Sequence, residues 1–330
     1  MFDSEKKLHL NEKLMINGKV LLQSVLNYGI YIAFILLVII LSVISPNFLS
    51  LSNFSNVLQQ ISVIGTIAIG MTFIIIARGI DVSVGAIVAL GSCVGCLLMT
   101  QNHVTGAVAI VAIIIVCILA SGVSGVGASY LGMPSFIVTL AMVNIARGLA
   151  LSFSGGTSIF GISPLFAEIG NGSILYIPIP ILIFIVCAIA GHIILSKTIF
   201  GKQVYAVGGN PLASRVSGIS VNKIILGTFL ISGFFVGIGS TTITARVNSF
   251  FPTVGTGYEF DAIAAVVIGG ASLNGGTGWI GGTIIGTLII GVINNALNLL
   301  NISAFYQDVI KGVIIFLAVL MDTLKTKKRT

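Results

Sequence analysis

Residues 105–129 read TGAVAIVAIIIVCILASGVSGVGAS and contain no charged side chain. An α-helix needs about 20 consecutive apolar residues to cross the hydrocarbon core of a bilayer, because each residue advances the helix by about 1.5 Å. This stretch meets that length without interruption. We therefore expect it to form a transmembrane helix.

Comparable apolar runs recur along the whole chain. The sequence is 56% hydrophobic and only 8% charged, whereas soluble domains are about 25% charged, so a water-soluble surface cannot be built from it. The 40 glycines suggest closely packed membrane helices. Polar residues, glycines and prolines divide the apolar runs into ten predicted spans, at 28–45, 57–77, 84–100, 105–129, 134–153, 178–196, 224–243, 259–270, 279–300 and 304–321.

Basic residues cluster in three polar segments, and the clusters indicate the orientation of the chain. The positive-inside rule places segments rich in lysine and arginine on the cytoplasmic side of the membrane. Ten spans satisfy the rule for all three clusters and leave both termini in the cytoplasm. The clusters are Lys6, Lys7, Lys13 and Lys19; Lys197, Lys202, Arg215 and Lys223; and Lys325, Lys327, Lys328 and Arg329.

The predicted fold class is an all-α integral membrane protein with about ten transmembrane helices, although eight remain possible. The weak point is 259–278, where Glu259 and Asp261 open a short apolar run that ends in a glycine-rich turn. A broken or re-entrant helix would also explain this piece. Irregular backbone of that kind must be shielded from lipid, because its polar groups cannot bond to hydrocarbon.

The expected domain organisation is one transmembrane domain at 28–322. It lies between a cytoplasmic N-terminal tail at 1–27 and a basic cytoplasmic tail at 323–330, and it contains a polar cytoplasmic loop at 197–223. The first apolar run lacks a following cleavage pattern of small residues, which predicts an uncleaved first helix. The largest external segment is 154–177, and we expect it to face an outside partner.

Ionisable and amide side chains inside the apolar runs are candidates for a translocation path. A charge at the bilayer centre costs about 2.5–3.5 kcal/mol on insertion scales, so it usually faces a cavity or a partner. Two plainer roles stay open, because acidic groups can cap a helix start and amides can bond to neighbouring helices. The path candidates are Asn144, Arg147, Glu259, Asp261, Asn294 and Asn298, with Asp308 and Lys311 as further ionisable residues.

A polar turn is predicted before the third span, where GIDVSVG occupies residues 79–85. Gly79, Asp81 and Gly85 are its expected structural residues. Arg78 and Asp81 stand three positions apart near the cytoplasmic boundary. We expect a local ion pair between them to fix the turn.

The cytoplasmic loop carries the start and stop signals of a short helix in the stretch GNPLASRVSGI, residues 209–219. Asn210 can cap, Pro211 suits the first helical position, and Gly218 suits the stop. Leu212 and Val216 then share one helix face. A solvated connector does not need such signals, whereas a docking element does.

Residues for enzymatic chemistry are not evident. The two Gly-Lys pairs, at Gly18 and Gly201, lie outside any phosphate-binding G-x-x-x-x-G-K-[ST] pattern, so we expect no nucleotide site of that kind. The histidines are scattered, and no zinc-protease or serine-hydrolase motif occurs. Cys93 and Cys96 form a C-x-x-C without a second pair, which favours small buried residues over a redox or metal site. We predict no catalytic residues, no metal and no cofactor.

Several of these segments together resemble the ribose-type permease subunits of bacterial ABC importers. They are GIDVSVG at 79–85, PSFIVTL at 134–140 with ARG at 146–148, and the stretch at 209–219. The most specific is GTGYEFDAIAA at 255–265, which is followed by the glycines at 269 and 270. The match extends over nearly the whole chain after residue 40.

The resemblance implies a sugar importer of the bacterial plasma membrane. It implies two permease chains, expected to be identical, two ABC ATPase subunits beneath them and an external solute-binding protein, in contact with membrane lipid and with no nucleic acid. In that family a cytoplasmic loop docks on the ATPase, and Asn210, Leu212, Arg215 and Gly218 are the matching positions here. The alternative is a secondary, ion-coupled transporter of a small polar solute, which the sparse intramembrane acidic residues disfavour.

Overall fold

A computed structural model of the chain describes residues 34–36, 38–45 and 48–327. It divides into two units, Met1–Ser50 and Leu51–Thr330. The first unit contains one short apolar helix, α1, over Phe34–Ile44. The predicted tail at 1–27 and the last three residues of the basic C-terminal tail lie outside the described residues.

The second unit is almost entirely helical. Long apolar helices alternate with short helices and two small antiparallel β-pairs. In chain order the elements are α2 Leu51–Ile76, α3 Val84–Thr100, α4 Gly106–Ser129, α5 Ser135–Ser154, β1 Ile159–Phe160, α6 Pro164–Asn171, β2 Ser173–Ile174, β3 Ile177–Pro178, α7 Ile179–Lys197, α8 Ile199–Gly209, α9 Pro211–Val216, α10 Val221–Val247, β4 Ser249–Phe250, α11 Tyr258–Ile268, α12 Ile280–Leu299 and α13 Ala304–Lys327.

Six of these helices are long and apolar enough to cross a membrane, counted over the described residues. They are α2, α4, α5, α7, α10 and α12. Helices α1 and α3 are shorter apolar helices, and α3 coincides with the predicted span at 84–100. The predicted helical membrane protein is therefore confirmed. The number ten and the side of each terminus stay predictions.

Helix α2 forms the centre of the second unit. Its residues 61–76 are all buried, and α7, α10, α11 and α12 pack around it. Helices α4 and α10 approach closely because glycines of α10 face the α4 backbone. A β-carbon at Gly233 would lie 2.8 Å from the Cys117 carbonyl oxygen, and one at Gly237 would lie 2.7 Å from the Ile114 α-carbon. Small residues allow this contact between membrane helices.

The predicted external segment at 154–177 is structured. Strand β1 pairs with β4, so that Ile159 lies opposite Phe250. Helix α6 buries Phe166, and β2 and β3 then form a hairpin. At its tip Leu175 and Tyr176 both have positive φ, at 51° and 66°, which bulky residues rarely adopt. The sequence did not predict these elements, because the tip has none of the glycine or asparagine that marks a tight hairpin.

Candidate functional site

Helix α9 is a short capped helix, as predicted. The Asn210 side-chain oxygen accepts a hydrogen bond from the Ala213 backbone N–H at 2.9 Å, and Pro211 occupies the first turn. Gly218, with a φ of 82°, ends the segment in the left-handed conformation that glycine adopts without strain. These local interactions stabilise α9, because a helix of six residues would not be stable by its length alone.

The outer face of α9 is apolar and has no contact partner in the described part of the chain. Leu212 is 75% exposed and Val216 is 90% exposed, one helical turn apart. Arg215 is exposed between them and forms no ion pair with any described residue. Two adjacent aliphatic side chains and a free guanidinium are a surface suited to protein contact, because burial of the apolar area would favour association.

Helix α8 connects α9 to the core. The Tyr205 hydroxyl donates to the Gly278 carbonyl oxygen at 2.7 Å, and burial raises the pKa of this phenol, which therefore stays a donor. Gly208 packs directly on the carbonyl of Ile76 at the end of α2. The same carbonyl accepts the Gly276 N–H at 2.9 Å. A displacement of α9 would therefore act on the end of α2 and on the loop at 269–279.

The turn between α2 and α3 is built differently from the prediction. One carboxylate oxygen of Asp81 accepts from the backbone N–H of Ser83 at 2.8 Å and from its hydroxyl at 2.5 Å. Arg78 instead donates from Nε to the Asn274 carbonyl oxygen at 2.6 Å. The predicted ion pair between Arg78 and Asp81 is wrong, because Asp81 is fully buried at the start of α3 while Arg78 reaches an exposed loop.

Gly85 lies one turn further along, where α3 meets the loop at 251–257. A β-carbon there would overlap the Gly255 carbonyl oxygen and the Glu259 carboxylate. Any larger residue at Gly85 would displace that loop. Gly79 is similarly confined, since its β-carbon would lie 2.7 Å from the Ile74 side chain.

Arg147 holds this same loop from the other side. Its Nη1 donates to the carbonyl oxygens of Pro252 at 2.9 Å and Val254 at 2.8 Å. Its Nη2 lies 3.4 Å from the Thr256 hydroxyl. The guanidinium thus binds three residues of one loop, and Glu259 lies close enough to interact with it electrostatically. Of the predicted path residues, Arg147 and Glu259 come together here.

A second group of predicted path residues meets between α11, α12 and α13. Asp261 accepts from Lys311 Nζ at 3.2 Å and from the Asn294 amide at 3.3 Å through one carboxylate oxygen. Asp261 is 5% exposed and Lys311 is 24% exposed. One turn along α12, Asn298 accepts from the Gln307 amide at 3.0 Å. Asn144 is separate from both groups, exposed on α5, and donates to the Leu140 carbonyl oxygen.

Two contacts in this region were not predicted from the sequence: the amide pair of Asn53 with Asn295, and the ion pair of Lys311 with Asp261. Asn53 and Asn295 exchange two hydrogen bonds, at 3.1 and 2.8 Å, between α2 and α12. Lys311 was one of several ionisable candidates and was not assigned to Asp261. The polar start of α2, at 52–60, could have indicated a partner for the amides of α12. Among the described residues, no cluster of His, Cys, Asp and Glu could hold a metal ion.

Comparison with known proteins assigns the chain to a family. Residues 53–319 match the model of the branched-chain amino acid transport system / permease component family. The ribose import permease protein of Haemophilus influenzae is 44% identical over 304 residues, which cover 90% of this chain and 94% of that protein. The ribose import permease protein of Bacillus subtilis is 42% identical over 303 residues, which cover 90% and 93%.

A more distant relative carries the name of a different solute. The L-arabinose ABC transporter permease protein of Azospirillum brasilense is 37% identical over 305 residues, which cover 91% of this chain and 88% of that protein. No solved structure matches the chain. The resemblance that the motifs predicted is confirmed over about nine-tenths of the sequence. The chain therefore belongs to the family of branched-chain amino acid transport system permease components and is a multi-pass membrane permease of the ribose-type ABC importers.

Proposed function

We propose that the chain carries a monosaccharide, ribose or a close relative of it, into the cell with energy from a separate ATPase subunit. The main structural support for a separate ATPase is the capped helix α9. It presents Leu212, Arg215 and Val216 outward from a basic loop. The sequence has no phosphate-binding loop of its own. The chain therefore has no site of this kind for using ATP itself. Its exposed helix α9 is a suitable docking surface for an ATPase that supplies the energy.

The proposed topology has ten spans with both termini cytoplasmic. Besides the six long helices, α1, α3, α11 and α13 would complete the number. Both the short length of α11 and the charges in α13 are compatible with helices shielded by neighbours, since Asp261 and Lys311 neutralise each other. This arrangement places α8, α9 and the loop at 269–279 on the cytoplasmic side and the segment at 155–178 outside.

The proposed assembly contains two copies of this permease, two ATPase subunits bound at α9, and a solute-binding protein at the external segment. The relatives described above are named as permeases of the monosaccharides ribose and L-arabinose, which supports a sugar over an amino acid as the solute. We assign no catalytic residue and no cofactor to the chain. The polar groups at Asn144, Arg147 with Glu259, and Asp261 with Asn294 and Asn298 are proposed to border the path.

Reconstitution in liposomes tests this proposal. We expect uptake of radiolabelled ribose only when the permease, its ATPase and its binding protein are all present. ATP must also be enclosed in the liposome lumen, on the same side as the ATPase. The permease alone should give no uptake under a proton or sodium gradient. Accumulation by the permease alone would instead make it a secondary transporter. Comparison of ribose, arabinose, allose and xylose in the same assay identifies the solute.

A further inference from the structure

An open apolar groove lies between α4, the start of α5 and α10. Its volume is about 580 Å³. The α4 wall carries Leu119, Val123 and Val126, and the α10 wall carries Leu226 and Leu230. All of the lining residues are aliphatic, glycine or methionine. No described segment of the chain fills the groove, and its lining offers an occupant apolar contacts only.

Glycines make the groove deep. A β-carbon at Gly122 would lie 3.0 Å from the Leu230 side chain, and one at Gly127 would lie 2.8 Å from the Val138 side chain. The absence of side chains at these two positions lets α10 and α5 approach α4 while leaving the space above open. The groove therefore lies between helices that pack closely at these glycines.

Both walls end in amphipathic side chains at the same end of the groove. Tyr130 follows the last residue of α4 directly and keeps a helical backbone conformation, so it continues the line of Val123 and Val126, seven and four residues before it. On α10, Lys223 stands seven residues before Leu230, which is almost two full turns, and so shares its face. Tyr130 is 52% exposed. Lys223 is exposed and forms no ion pair with any residue that the structure describes.

In the proposed ten-span topology, this end lies at the cytoplasmic surface. Lys223 closes the basic loop at 197–223, which the positive-inside rule places in the cytoplasm. Tyrosine at a helix end is typical of the membrane–water interface, and basic groups between helices on this side attract anionic head groups. The groove therefore combines an apolar channel within the bilayer with a cation and a phenol at the level of the lipid phosphates.

We propose that this groove is a binding site for one anionic phospholipid of the cytoplasmic leaflet. An acyl chain lies along Leu119, Val126 and Leu230, and the phosphate binds the Lys223 ammonium, with the Tyr130 hydroxyl as a further donor. A second protein copy is disfavoured as the occupant, because a helix would bring an apolar surface against the exposed Lys223. The proposal rests on the proposed topology, which places Lys223 on the cytoplasmic side, but it does not depend on the sugar or the ATPase.

Native mass spectrometry of the full-length chain, extracted from nanodiscs that contain equal amounts of phosphatidylglycerol and phosphatidylcholine, tests the site. We expect the wild type to retain phosphatidylglycerol preferentially. Lys223→Gln should reduce that preference about fivefold, the effect of one basic contact near the membrane surface. Lys202→Gln removes an equal charge elsewhere on the cytoplasmic side, and should leave the preference unchanged.

The apolar part is tested by filling the groove. Val126→Trp should abolish retention of the lipid, whereas Val186→Trp, on an exposed face of α7 outside the groove, should not. Both changes are at exposed positions, and a monodisperse size-exclusion profile shows that each variant has folded. Equal lipid retention by the two variants, or an unchanged preference in Lys223→Gln, would overturn the proposal. Efficient cross-linking between copies through Val126→Cys would assign the groove to a protein interface instead.

Discussion

Arg147 is the residue for which the structure changes the interpretation most. A guanidinium inside an apolar helix suggests a solute contact, and in the structure its Nη1 donates to the carbonyl oxygens of Pro252 and Val254. Both acceptors belong to one loop, and that loop lies against Gly85 of α3. Arg147 therefore holds this loop in place, in addition to its proposed position beside the translocation path.

Replacement of Arg147 by methionine should release this loop. Each hydrogen bond to a charged group contributes about 1.5–3 kcal/mol, and the freed carbonyls would have to find other partners. We expect a lower thermal unfolding temperature and faster maleimide labelling of a Thr253→Cys reporter, whose position is exposed in the same loop. Arg147→Lys should recover part of the protection, since an ammonium can satisfy one of the two carbonyls. Loss of transport with an unchanged labelling rate would contradict the positioning role.

Asp261 and Lys311 form an ion pair on which the stability of the protein should depend. Lys311→Met leaves the Asp261 carboxylate buried without its cation, and we expect a loss of about 2 kcal/mol of stability, less than for a fully buried pair because Lys311 is 24% exposed. The double variant Asp261→Asn with Lys311→Met should regain most of the thermal stability in detergent, because no charge then remains unpaired. A double variant no more stable than Lys311→Met alone would show that the two side chains are not coupled.

The sequence shows which side chains are unusual within an apolar run, but it does not show which residues they contact. A charge or an amide in an apolar run is visible in the sequence itself, and Arg147, Asp261 and Asn294 are candidates for that reason. Their partners are set by packing between distant segments. Asn53 bonds to Asn295 over a separation of 242 positions, and no local pattern encodes that pairing. The expected ion pair of Arg78 with Asp81 was wrong for the same reason, since proximity in sequence did not decide the contacts.

At the scale of elements, prediction succeeded where the signals are local. The cap, the first-turn proline and the terminal glycine of α9 all lie within nine residues, 210–218, and the helix forms between them. The length of α3 follows from an uninterrupted apolar run. Helix α6 and the hairpin at 173–178 were missed, because the contacts that fix them, such as burial of Phe166, are tertiary. Helix α11 ends at Ile268, as the glycines after it suggested.

Changes to the exposed face of α9 should impair assembly with the ATPase without impairing folding of the permease. Combined Leu212→Ala and Arg215→Ala should weaken ATPase binding by about tenfold or more, because the few residues that dominate an interface each contribute more than about 1 kcal/mol. The chain should remain inserted in the membrane, since both side chains are exposed. Ser217→Ala, at the end of the same helix, is the matched control. Normal copurification of the ATPase with the double variant would remove α9 from the proposed interface.

The arrangement of the whole molecule in the membrane can be tested with the native cysteines in place. Cys93, Cys96, Cys117 and Cys187 are all buried, so a membrane-impermeant maleimide should not label the folded wild type. Single cysteines at Tyr176, which is fully exposed, and at Ser303 should react from outside intact cells. Cysteines at Val216 and Thr277 should react only in inverted vesicles, because ten spans place both on the cytoplasmic side. If the Thr277→Cys variant reacted from outside, α11 would be re-entrant, the chain would have fewer complete spans, and the cytoplasmic assignment of the loop at 269–279 would fail.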